Sequence, residues 1–256
     1  MWDPGQYLRF ADERSRPFFD LTDRIQATQP SLVVDLGCGP GQLTATLAQR
    51  WPGAQVAGID SDAAMITAAR TLAVPDRVTF TQGDLRDWKP DRPVDVLVSN
   101  AALQWVPGHQ ELLVSWAMGL APGGWLAFQV PGNRDQPSHV LMRELAASDQ
   151  WRARLATVEL NRQTGDPPPY LDLLARAGCQ VDAWETTYLH VLQGDDPVLD
   201  WYRGSGLRPV LAALDPAAAA AFLAQYGELL RVAYPAAPHG TILPFRRVFV
   251  VARTPR

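Results

Sequence analysis

The segment Asp35-Leu36-Gly37-Cys38-Gly39-Pro40-Gly41 sets three glycines at a spacing of two, where a short apolar run hands over to a helical stretch. Glycines there let the backbone approach a ligand closely, at a place that favours a nucleotide-like group. A dinucleotide fingerprint wants G-x-G-x-x-G, whose third glycine packs the helix. Here the third glycine comes one residue early, which suits a ligand with no pyrophosphate to cradle. Cys38 and Pro40 between the glycines carry no catalytic or metal-binding pattern. Asp60 follows Gly41 by 19 residues, near the roughly 20-residue offset at which an acid meets ribose hydroxyls. It can equally cap the next helix, although Ser61 or Asp62 can fill that role. Asp84, in Gly83-Asp84-Leu85, can accept from an amino group such as that of adenine. The segment Ser99-Asn100-Ala101-Ala102-Leu103-Gln104-Trp105 is a fourth candidate.

The elements that must position these residues read as alternating helices and short apolar strands. Helices are expected at 6–28, 42–50, 62–72 and 109–119, and strands at 32–36, 55–60, 78–82, 94–99 and 125–130. This alternation predicts a parallel sheet covered on both faces, and right-handed crossovers make it doubly wound. All four candidate segments then lie at carboxyl ends of strands, where ligands bind in open α/β sheets. Beyond residue 131 the pattern changes. A helix is expected at 137–148. The polar stretch 150–169 ends in three prolines and reads as a flexible flap. A helix at 170–177 stops at Gly178, an alternating strand covers 181–192, helices fill 196–234, and a final strand spans 241–253. No internal repeat is evident.

Composition narrows the function classes. The 256 residues are 47% hydrophobic, enough for a sizeable core. No apolar run reaches the roughly 20 residues of a membrane span. The first residues lack a basic segment followed by an apolar one, so no secretory signal is expected. Cys38 and Cys179 make neither a metal spacing nor a disulfide framework, and a reducing cytoplasm is the plain expectation. A net charge of −4 argues against a nucleic-acid partner. Lys89 is the only lysine and sits in a Trp-Lys-Pro turn, a poor place for a Schiff-base lysine.

Taken in order and spacing, the four segments resemble the class I S-adenosylmethionine (SAM)-dependent methyltransferases. The resemblance implies a Rossmann-like α/β sheet of seven strands in the order 3-2-1-4-5-7-6, with the seventh (242–253) antiparallel and 181–192 as the sixth. It carries Asp35, Gly37, Gly39 and Gly41 onto the SAM loop and Asp60 onto the ribose ligand. Ser61 and Met65 then lie beside the adenosine, Asp84 and Leu85 at the adenine, and Asn100 beside the methionine part. The loop after the fourth strand lacks the Asn/Asp-Pro-Pro-Tyr/Phe sequence of amino-group methylases. The carboxylate cluster of metal-dependent catechol-type enzymes is also missing, so no metal is expected.

The wording of the whole chain is similar to the trans-aconitate methyltransferases. The similarity lies in Tyr7-Leu8-Arg9-Phe10-Ala11 with Glu13-Arg14-Ser15-Arg16-Pro17, in 100–105, in 137–144, in Thr186-Thr187-Tyr188-Leu189-His190 and in Gly206-Leu207-Arg208-Pro209. It departs at 133–136 and 149–169. It implies one domain over 1–256, with a lid-like segment at 1–28, a SAM-binding core at 30–131, substrate-side helices and the sixth strand at 132–240, and the last strand at 241–253. The implied reaction is O-methylation of the C2-linked carboxylate of trans-aconitate. The products are a monomethyl ester and S-adenosylhomocysteine, and the reaction disposes of an inhibitory isomer.

The chemistry suits such a tricarboxylate. A carboxylate, with a reference pKa near 4, is ionised at about pH 7 and needs no general base to attack a sulfonium methyl. The other carboxylates need donors. His139 and Arg143 share a helix face, four residues apart. Tyr188 and His190 share a strand face, two apart. Of the neighbours Arg246 and Arg247, only one can point at a site. Tyr7 and Arg14 lie on the N-terminal segment, and Trp105 is as much a core residue as a substrate wall. A solvated surface charge is the competing reading for every arginine, and a structural role for both histidines. Two other functions compete: methylation of another small acid or small molecule, and a non-catalytic SAM-fold binding protein. A monomer or weak homo-oligomer is expected.

Overall fold

The computed structural model describes residues 11–160 and 164–256. The chain divides into two compact units. The first takes the described residues up to Pro131, with Thr164–Thr186 and Arg247–Arg256. The second takes the described part of Gly132–Gln163, with Thr187–Arg246.

In the first unit helix α1 (Ala11–Thr22) precedes β1 (Leu32–Leu36), α2 (Gln42–Arg50), β2 (Gln55–Asp60), α3 (Ala63–Ala69), β3 (Val78–Gln82), β4 (Val94–Asn100), α4 (His109–Met118) and β5 (Leu120–Pro131). In the second unit lie α5 (Pro137–Ala147) and α6 (Arg152–Leu155), and α7 (Pro167–Arg176) returns to the first. Strand β6 (Gln180–Leu192) belongs to both units. Helices α8 (Pro197–Arg203), α9 (Arg208–Ala213) and α10 (Pro216–Ala233), with the two-residue β7 (Ala236–Ala237), complete the second unit. Strand β8 (Gly240–Arg253) ends the chain and again contributes to both.

The sheet order is β3-β2-β1-β4-β5-β8-β6, with β7 paired only to β8. Strands β1 to β5 pair in parallel, and β8 runs antiparallel to β5, from Trp125 opposite Arg253 to Pro131 opposite Arg247. This is the expected 3-2-1-4-5-7-6 arrangement, with one small strand added before the last. The central strands are apolar on both faces because both are covered. Val34, Leu36, Leu97, Leu126, Phe128, Val248 and Val250 form the core with Leu113 and Trp116 of α4 and Tyr170 and Leu174 of α7.

Several boundaries differ from expectation. The described part of the N-terminal helix stops at Thr22 rather than 28. Helix α3 ends at Ala69 and tightens into a short 3-10 turn over Arg70–Leu72. Strand β5 begins at Leu120 instead of 125, with a register shift opposite Val94 and Val96. The stretch read as a flap is partly helical. It contains α6, and Pro167–Pro169 open α7. Proline is tolerated in a first helical turn because its missing N–H has no partner there. The same position is used in α5, α8, α9 and α10.

Candidate functional site

The glycine turn is held by the end of β2. Gly37 N and Cys38 N donate to Ile59 O, at 2.7 and 3.0 Å, and Gly39 N donates to Asp60 Oδ2 at 2.9 Å. The three glycines have φ of 82°, 55° and 86°, in the left-handed region that side chains avoid. At Gly37 a Cβ would lie 2.2 Å from Ala102 Cβ, and at Gly41 2.9 Å from Ala69 and Phe80. At Gly39 a Cβ would meet nothing within 4 Å. So two glycines serve close packing, and the middle one borders open space. Cys38 is buried, and burial pushes its thiol well above the ordinary range, which removes it as a nucleophile.

Two carboxylates face this turn. Asp35 is buried and accepts from Thr44 Oγ1 at 2.6 Å. Among the described residues its Oδ1 is buried with no hydrogen-bond partner. Burial raises its pKa to about 7, Thr44 opposes that, and the charge of Asp60 adds to it. Asp60 Oδ1 accepts from Asp62 N at 2.9 Å. Burial raises its pKa too, against the backbone donors that lower it. The cap of α3 is Asp62, whose side chain accepts from Ala64 N and Met65 N. Asp60 is therefore free of the capping role. Ser61 is exposed and Met65 buried, on either side of that cap.

Asp84 is differently placed. Both of its oxygens receive bonds from Arg86, through N, Nε and Nη2. This clasp lowers its carboxyl to about pKa 2. Four bonds fill the lone pairs of a carboxylate, so a ligand amino group would have to displace Arg86. Leu85 is buried in the core.

The loop after β4 packs on the glycine turn through Ala102, and Ser99 Oγ ties β4 to β1 by donating to Leu36 O at 2.8 Å. Ala101 has φ of 53°, a strain of about 1–2 kcal/mol for a side-chain-bearing residue. It is held by its N–H on Gln129 O and by Gln104 Nε2 on its own carbonyl. Asn100 Oδ1 accepts from Gln129 Nε2 at 2.8 Å, and Gln129 Oε1 accepts from Arg247 Nη1 at 3.3 Å. Arg247 is thus buried in the first unit. Its neighbour Arg246, half-buried in the second unit, donates from Nη1 to Gly132 O. The two neighbouring arginines thus differ in burial. Trp105, in a short turn over Leu103–Trp105, is 37% exposed.

The second unit collects the remaining candidates. His139 and Arg143 share a face of α5. The His139 pKa is lowered to about 4, by burial first and by the Arg143 charge second. His139 packs edge-on against Tyr202 at 5.2 Å. Its neighbour Ser138 is a hub. Ser138 N donates to Tyr234 Oη, its carbonyl accepts from Tyr226 Oη, and its Oγ bonds Tyr202 Oη at 2.8 Å. Tyr188 and His190 are both buried, and His190 stacks on Trp201 at 4.9 Å. Asn133 Oδ1 accepts from Arg246 N at 2.7 Å, while its buried Nδ2 has no acceptor among the described residues. Tyr7 lies outside the described residues, and of Arg14 only the helical backbone is described.

Sequence reasoning missed Thr44, Gln129 and the three tyrosines around Ser138. Gln129 carried a signal, as the lone polar residue in an apolar strand. The tyrosines carried none, since they lie 64 to 96 residues from Ser138. Among the described residues no group of three or more His, Cys, Asp or Glu side chains is placed to hold a metal. No described helix is long and apolar enough to cross a membrane.

A methyltransferase-domain family matches residues 33–124. The trans-aconitate 2-methyltransferase of Streptomyces avermitilis is 55% identical over 258 residues, covering 98% of this chain and 96% of that protein. The chain belongs to the trans-aconitate 2-methyltransferase family. Family members from Streptomyces coelicolor (56%, covering 99% of this chain and 87% of that protein) and Mycolicibacterium gilvum (52%, 99% of both) agree. Among solved structures, the fold is shared with the YcgJ protein of Bacillus subtilis (TM-score 0.61, 12% identity, 94% of this chain and 99% of that one). It is also shared with Haemonchus contortus phosphoethanolamine N-methyltransferase 2 in complex with S-adenosyl-L-methionine (TM-score 0.56, 15% identity, 94% and 53%). The match of family members runs through both compact units, well beyond the methyltransferase core.

Proposed function

We propose that this chain transfers a methyl group from SAM to a carboxylate of trans-aconitate, giving the monomethyl ester and S-adenosylhomocysteine. The observation that carries this reading is identity of 50% or more to trans-aconitate 2-methyltransferases over nearly the full length. Methyltransferases of different acceptors share the core, so agreement outside it is what supports the acceptor.

The residues of the glycine turn fit SAM. A buried carboxylate oxygen without a partner costs about 1–3 kcal/mol, and Asp35 Oδ1 is such an atom. A cationic ligand relieves that cost, and SAM bears an ammonium and a sulfonium. Asp60 keeps a lone pair on each oxygen for a diol. The N–H groups of Gly37, Cys38 and Gly39 are already used within the protein, as suits a ligand with no phosphate. Gly39 leaves room beside the turn.

When bound, SAM supplies a methyl group on a positively charged sulfur, open to attack by an oxygen in line with it. The protein then has to orient, since the acceptor is already ionised at neutral pH. Orientation alone can supply about 7–11 kcal/mol. His139 with Arg143, Tyr188 with His190, and Arg246 are the candidate donors to the other carboxylates. His139, neutral near pH 7, serves as a hydrogen-bond donor rather than a cation. Tyr188 and His190, both packed in an aromatic cluster, are the weaker pair. The test is mass spectrometry of the product formed from SAM and trans-aconitate. A monomethyl ester is expected; unchanged acid after prolonged incubation would remove the proposal.

A further inference from the structure

The facing ends of β4 and β5 carry a buried chain of amides whose polarity can be assigned from chemistry alone. Gln129 is fully buried in β5 and opposite Asn100 in the strand register. A guanidinium only donates, so the Gln129 atom facing Arg247 Nη1 is the carbonyl Oε1. The other end of that amide is then Nε2, a donor, and it lies 2.8 Å from Asn100. The Asn100 atom that receives it is Oδ1. What remains of the Asn100 side chain is Nδ2, with two N–H groups and, among the described residues, no acceptor. Asn100 is half-buried, whereas Gln129 and Arg247 are buried. The strand end is fixed by a second tie, Ala101 N on Gln129 O at 3.0 Å.

We infer that Arg247 and Gln129 are positioning residues that lock Asn100 with Nδ2 as its free group, so that it donates to a carboxylate of one of the two reactants. The carboxylate is that of the methionine part of SAM or one belonging to the acceptor acid, and the inference rests on the proposed function for both. Without the lock, Asn100 can turn its carbonyl toward the ligand, where oxygen faces oxygen. The positive charge of Arg247 thus acts on the ligand through the two amides, by deciding which end of Asn100 is presented.

The substitution Gln129→Glu tests this. Beside Arg247 the new carboxylate stays ionised and still accepts, so the link between β5 and β8 is kept. It cannot donate, so Asn100 must turn Nδ2 toward it and present Oδ1. Three quantities are measured on the full-length protein: the melting temperature, the affinity for S-adenosylhomocysteine by calorimetry, and KM and kcat for trans-aconitate. The expected result is a melting temperature near that of the unaltered protein and at least a tenfold loss in one constant. Loss of S-adenosylhomocysteine affinity identifies the methionine carboxylate, and a raised acid KM identifies the acceptor. The second variant, Asn100→Asp, keeps the acceptor for Gln129 Nε2 and replaces the donor by an oxygen. It should move the same constant, and it stands in if Gln129→Glu does not fold. Either folded variant with both constants within twofold of the unaltered protein overturns the inference. An unaltered protein inactive on trans-aconitate would sink the proposed acceptor instead, leaving the calorimetric arm to test Asn100.

Discussion

Each carboxylate oxygen of Asp60 accepts one backbone N–H, from Gly39 and from Asp62, and keeps a lone pair for a ligand. Because Asp62 caps α3, removing the Asp60 side chain leaves the helix start intact. Asp60→Ala is therefore expected to weaken SAM binding at least tenfold in calorimetry; unchanged affinity would take Asp60 out of the site. Asp35 makes a pH prediction. Its folded pKa of about 7 lies above the ordinary 3.8, so the folded state holds the proton more tightly. That contribution to stability is fully present below the unfolded pKa, and it is lost as pH rises through about 7. Asp35→Asn, neutral throughout, should flatten the fall in melting temperature over that window in ligand-free protein. An unchanged slope would assign the fall to other groups. At this scale the sequence exposed the glycines, Asp35 and Asp60, because their spacing along the chain is itself the signal. Thr44 was not legible, and Gln129 only as a polar residue in an apolar strand, since what matters is the atom each one faces. Asp84 could be named but not its clasp by Arg86, which follows from side-chain geometry two residues on.

The elements translate these residues into a frame. Gly39 and Gly41 share a left-handed backbone but differ in surroundings. Alanine at either costs about 1–2 kcal/mol of backbone strain. At Gly41 it also meets Ala69 and Phe80, so Gly41→Ala should lower the melting temperature more than Gly39→Ala. The latter should instead weaken SAM binding, by filling space beside the turn. Equal effects of both on stability and binding would contradict the division of roles. On α5, replacing His139 and Arg143 together by alanine is expected to raise the KM for the acid at least tenfold, with little change for SAM. An unaltered acid KM would make the pair structural, in line with the packing of His139 on Tyr202. Strand positions were legible from their apolar runs, and β1, β2 and β3 fall where periodicity puts them. The helices inside 150–169 were not, because Pro167–Pro169 read as a breaker although they sit in a first turn. The early start of β5 was hidden by Pro122-Gly123-Gly124, a turn-like sequence accommodated by a register shift.

At the scale of the molecule, the chain forms two compact units. The sheet and its glycine turn, in the first, have the features of a nucleoside site. The second carries the hub of Ser138 with Tyr202, Tyr226 and Tyr234 and the aromatic stack of His190 on Trp201. The sheet order was legible through the resemblance, but the tyrosine hub was not. Its partners meet only because α5, α8 and α10 fold together. The family membership rests on both units, and so does the reading of the acceptor. The most direct test is the rate of S-adenosylhomocysteine formation from SAM with a panel of tricarboxylates, each against a control without acid. Rapid formation is expected with trans-aconitate, well above the control without acid. Formation no faster with trans-aconitate than without it would contradict the account.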